Sequence, residues 1–138
     1  MNRVWVIVLC AAASAALAGR ARAAGHWTQV AEQVAAEIDH AESAAAAGHA
    51  EEAKEAVISG YFNQFEQKKM EIAERSALGI EHVSAVEALF HDLHKAIGAK
   101  RGTADLHSVA EALRQSLRSD GKALDAAGIG PDGLAGGK

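Results

Sequence analysis

Apolar side chains along this chain recur in steps of three and four, and the steps divide it into four helical stretches. Trp27, Val30, Val34, Ile38, Ala41 and Ala45 make one stripe. It predicts a helix over 27–47, stopped by Gly48. A second helix is predicted over 49–76. It carries Ile58, Tyr61, Phe62, Phe65, Ile72 and Ala73 on its inner side and Met70 away from it, and "ALG" at 77–79 breaks it. The third, over 80–97, has the cleanest pattern. Val83, Val86, Phe90, Leu93 and Ile97 alternate their spacings as a coiled-coil seam does. After the loop "GAKRGT", Thr103 is the expected N-cap of a fourth helix. That helix carries Leu106, Val109, Leu113 and Leu117, fades near Gly121 and resumes through Leu124.

Four amphipathic helices joined by short loops predict an all-α fold, an antiparallel up-down four-helix bundle over 24–127. No stripe can be buried alone, so the helices pack on one another. The first stripe is largely alanine. It allows close approach but adds little apolar area, and the expected core is thin. Residues 128–138, "GIGPDGLAGGK", are glycine-rich and expected to be a disordered tail.

Composition adds a compartment. Arg3 gives a positive start, and "VWVIVLCAAASAALA" is an apolar run too short for a comfortable membrane span. Ala21-Arg22-Ala23 supplies the small-x-small pattern that signal peptidase reads. Residues 1–23 are therefore expected to be a signal peptide cut after Ala23, with a cut after Ala18 as the alternative, and the mature chain is expected in the periplasm. The single cysteine, Cys10, lies in that leader. The mature chain then has no disulfide and no thiolate ligand. The chain holds 14 Lys and Arg against 18 Asp and Glu, and Arg3, Arg20 and Arg22 leave with the leader. An acidic product of this kind is not built for nucleic acid or anionic lipid. It suits cations or a basic partner surface.

Candidate chemistry gathers in two places. "GYFNQFEQKKME" holds Tyr61, Phe62 and Phe65, half of the chain's aromatic residues. They supply core volume that alanine cannot. On a regular helix Glu66 lies about 100° round from Phe65, at the border of the stripe. There it either points into a groove between helices or stands solvated. On the third helix, "EALFHDLH" sets Glu87, His91 and His94 at steps of four and three, on one side. Imidazole and carboxylate in this pattern suit Cu, Zn, Ni or Fe. Further ligands would come from Glu51, Glu55 or Glu66, and the plain alternative is a polar flank with surface histidines. His26, His40, His49, His82 and His107 read as solvent-facing. A non-covalent haem would need an inward His or Met, which Met70 does not supply. No GxSxG, HExxH or phosphate loop is present, so a binding protein is expected rather than an enzyme.

Over 44–97 the chain resembles a known domain. The entry Gly48 to Ala56, then Tyr61, Phe65, Glu66 and Glu71, then Val86, Glu87, Phe90 and Leu93 carry the resemblance. It is similar to the extracytoplasmic helical domain that precedes the membrane part of bacterial high-affinity iron permeases of the Ftr type. Those permeases continue into membrane helices with an Arg-Glu-x-x-Glu motif, which is missing here. The resemblance implies a free-standing periplasmic relative that binds iron or presents it to a membrane permease. It implies Glu66 as a hard oxygen ligand suited to iron, with Tyr61 as a supporting donor or a ligand itself. The candidate metal ligands are then Glu66 together with Glu87, His91 and His94, and Glu71 is a candidate supporting residue. The alternative is a helical interaction module that docks on a membrane partner without metal.

Overall fold

The computed structural model describes residues 24–134. Residues 1–23, with the expected leader and both cleavage sites, lie outside the described residues, as do 135–138. The regular elements described are all helices. They are α1 (His26–Ala46), α2 (Ala50–Ser59), a π-helical segment (Gly60–Glu66), α3 (Met70–Ala77), α4 (Ile80–Gly98) and α5 (Thr103–Ala126).

The start of α1 has no cap of its own, because its N-cap residue is Gly25. Asp125, near the end of α5, serves instead. Its carboxylate accepts from the backbone N–H of Trp27 at 2.9 Å, the N–H of Thr28 at 2.9 Å and the Thr28 hydroxyl at 2.7 Å. An anion at the positive end of a helix is favourable electrostatically as well as by hydrogen bonding. Burial works against the charge, but these donors hold the Asp125 carboxyl below its ordinary range. Gly48 ends α1 as expected, with φ +83°. The N–H of His49 reaches back to Ala44 O at 2.9 Å and that of Gly48 to Ala45 O at 3.0 Å, a Schellman closure.

Helix α1 packs on α5 and on α2, and α4 packs on α5 and on α2. The pairs between α1 and α5 run in opposite order along the two helices. Arg118 grips Glu32, Arg114 takes Asp39 and Glu42, and His107 meets Glu42. The predicted stripes of α1 and α4 are the buried ones. Trp27, Val34, Ile38, Ala41, Val83 and Leu93 have no exposed surface.

Three expectations for α5 and the tail change. The N-cap is Gly102, and Thr103 is the first helical residue. The helix does not fade at Gly121 but continues to Ala126. Gly121 is buried where α1 crosses it, and a Cβ there would stand 2.8 Å from the carbonyl oxygen of Trp27. Residues 128–134, expected to be loose, fold back on the helices instead. Trp27 Nε1 donates to Ile129 O at 2.9 Å, and Gly133 is buried against Ile72 and Ala73.

The largest departure is in the predicted second helix. It is three pieces. After α2 the chain widens into the π segment, in which Gln67 N–H donates to Phe62 O at 3.0 Å, five residues back. Lys69 then takes a left-handed conformation, φ +67°, before α3 begins. The interruption re-phases everything after it. Ile72, expected on the inner side, is 41% exposed; before and within the segment Phe65 is fully buried as expected, while Ile58 and Phe62 are 45% and 53% exposed. Met70, expected to face away, has no exposed surface.

Candidate functional site

The first site lies between α4 and the end of α2 with the π segment that follows it. The groove is ≈ 380 Å³, with Val57, Ile58, Phe62 and Phe90 on its apolar side and Tyr61, Glu87, His91 and His94 supplying its polar groups. The π segment builds one wall. Its wide turn lets Phe65 enter the core while Tyr61 lies half-buried and Phe62 outside. The Tyr61 ring meets Phe90 edge-on at 5.3 Å, and Phe65 stacks tilted on Phe90 at 5.5 Å. Gly60 makes this possible. A Cβ there would stand 3.2 Å from Glu37 Cβ on α1, so the segment lies hard against α1.

Of the expected ligands, Glu87, His91 and His94 share this groove. Glu87 and His94 are half-buried and His91 is exposed. The Tyr61 hydroxyl donates to Glu87 Oε1 at 3.1 Å. Burial, then that bond, then the charges of Glu87, Glu71 and Glu66 push the phenol up to about 12, so Tyr61 acts as a neutral donor that orients Glu87. Glu66 is exposed and does not line the groove. Glu71 is engaged by Arg75 within α3. Glu51 pairs with Lys54 at 2.6 Å, and Glu55 is exposed. No three of Glu66, Glu87, His91 and His94 bring donor atoms within 4.8 Å of one another. Among the described residues, the three carboxylate and imidazole groups that do are Glu74, His82 and Asp120.

This second cluster was missed by the sequence. Glu74 comes from α3, His82 from the first turn of α4 and Asp120 from α5. His82 Nε2 lies 2.8 Å from Asp120 Oδ2, and the Ser116 hydroxyl is a longer neighbour at 3.5 Å. Glu74 is fully buried, and neither of its oxygens has a hydrogen-bond partner. Burial first, then Asp120, then Glu71 and Glu87 raise its carboxyl to about 9, so the carboxyl stays protonated at neutral pH. His82, expected in solvent, is instead half-buried. The remaining expected surface histidines do stand at the surface. His40 and His49 meet Glu52, and His107 meets Glu42.

No helix among the described residues is long and apolar enough to cross a membrane. No family model, no curated protein and no solved structure matches the chain.

Proposed function

We propose that the protein is a periplasmic accessory of iron uptake. In this reading it binds a metal cation in the groove and presents it to a membrane permease; it is a binding protein and not an enzyme. The carrying observation is the composition of the groove. Two imidazoles and a tyrosine-oriented carboxylate line the same hollow as the exposed rings and chains of Phe62 and Ile58. Open polar donors beside an apolar lip suit transient holding and handover better than permanent burial of an ion. The apolar leader run and small-x-small motif support export, and the acidic balance supports a cation over nucleic acid. The likeness to the Ftr-type domain over 44–97 supports iron. For the architecture we infer an antiparallel up-down four-helix bundle whose second arm, residues 50–77, is broken in the middle. The opposed pairing order of α1 and α5 supports it.

The test is an anaerobic, chelator-buffered Fe(II) titration of the protein and of a variant combining Glu87→Gln, His91→Ala and His94→Ala. The variant is expected to lose one equivalent of binding. Equal stoichiometry and affinity in both proteins would remove the groove from iron handling. The exposure of Phe62 and Ile58 favours a second reading, docking on a membrane partner without metal. There Phe62→Ser abolishes association with the permease while Glu87→Gln leaves it intact.

A further inference from the structure

We propose that Glu74, His82 and Asp120 form a closed site for one divalent first-row transition ion, distinct from the groove and sharing no residue with it. The three side chains come from three helices and bring one ligand atom each to within 4.8 Å of the others. Ligand atoms around an ion bound at about 2.0–2.2 Å stand roughly 3.3 Å apart. Small side-chain rotations therefore seat all three on a common ion.

Glu74 is the strongest pointer. It is fully buried, and both its oxygens lack a partner. A buried polar group without a bond is costly, and native proteins seldom keep one without a reason. Among the described residues no lysine or arginine pairs with Glu74 or Asp120; the nearby Arg75 is taken by Glu71. The cluster thus offers several lone pairs and no fixed positive charge. A divalent ion supplies that charge and satisfies the stranded oxygens together.

The donor set narrows the ion. One imidazole and two carboxylates, without sulfur, are a poor match for Cu(I). Three protein ligands are too few for calcium, which gathers six to eight oxygens. Mn(II), Fe(II), Co(II) and Zn(II) accept this set with the remaining positions held by water. The way in passes His82, whose side chain is 37% exposed against 6% for Asp120. The competing account is a proton shared between the two carboxyl groups, with no ion at any stage.

Co(II) is the probe, because its visible absorption reports ligand number and geometry. The protein is expected to bind one equivalent of Co(II) in this site with a spectrum unlike that of the aquated ion, and Zn(II) is expected to displace it. Glu74→Gln and Asp120→Asn are each expected to weaken binding at least ~10-fold, the loss seen even when a residue supporting a ligand is removed. The groove variant is expected to keep this spectrum, so failure here and failure of the groove reading are told apart. Glu74→Gln replaces an unpaired acid with a neutral amide of equal size, and its metal-free melt checks that it folds. His82→Gln serves as an independent second probe. An aquated-ion spectrum with the wild-type protein, or undiminished binding by Glu74→Gln and Asp120→Asn, would overturn the proposal in favour of the shared proton.

Discussion

Gly121 shows how a single residue can carry meaning that composition hides. Helix propensity alone predicts that Gly121→Ala gains up to about 1 kcal/mol. The structure predicts the opposite sign. The new methyl would stand 2.8 Å from Trp27 O and 3.1 Å from the backbone of Thr28, and backbone does not give way as a flexible side chain does. We expect Gly121→Ala to lose ~1–3 kcal/mol in a urea melt, the usual cost of overpacking. A stabilised variant would mean that α1 and α5 are further apart than described. Read from sequence, Gly121 marks a weakening helix, because propensity is a property of the residue and close approach is a property of its neighbour. Trp27, Phe65 and Leu93 were legible for the converse reason, since large apolar side chains need burial whichever neighbour provides it.

At the level of elements, α1 and α4 were legible and the arm between them was not. The seam Val83–Val86–Phe90–Leu93–Ile97 keeps one phase throughout, so periodicity finds it. On an unbroken helix Glu74 would lie about 180° round from Phe65, on the outer side. Ile72 would lie within about 20° of Phe65, on the inner side. Both positions are reversed, because the π segment and the left-handed Lys69 shift the phase between them. Gly60 opens the segment, but a lone glycine inside a helical pattern is ordinarily tolerated, and neither glycine nor proline stands at the left-handed Lys69, so the letters do not announce the break. The same geometry makes a prediction. A β-branched side chain is strained at φ +67°, while glycine is not. Lys69→Val is expected to destabilise by ~1–2 kcal/mol in denaturant melts, and Lys69→Gly to stay within about 1 kcal/mol of wild type. Equal effects of the two would show that α3 tolerates another register.

For the molecule as a whole, charge decides how stability follows pH. Burial, and then Asp120, push the Glu74 carboxyl up to about 9 in the folded state, against an ordinary value of 4.5. Between those values the folded protein binds a proton that the unfolded chain releases. Stability from this group is therefore fully present below pH 4.5 and falls as pH rises toward 9. Asp125 works the other way. Its lowered carboxyl contributes above its ordinary value of 3.8 and is lost as pH falls through its folded value. We expect metal-free protein to be most stable in mild acid and to weaken steadily on the alkaline side. Glu74→Gln should flatten that decline, read as the melting temperature from pH 5 to 9. A wild-type profile that is flat over the range would show Glu74 to be solvated. Net acidity was plain in the sequence, but a carboxyl kept neutral by burial was not, because its cause lies in three helices meeting.

The carboxylate of Asp125, bonded across to Trp27 and Thr28, ties together parts of the chain that are made far apart in time. The opening helix has nothing of its own to finish its first turn, and the missing piece arrives only when the last helix has been synthesised. Whatever order the middle elements follow, the first turn of α1 gains its protein cap only when the end of α5 docks on it, and until then water must serve those N–H groups.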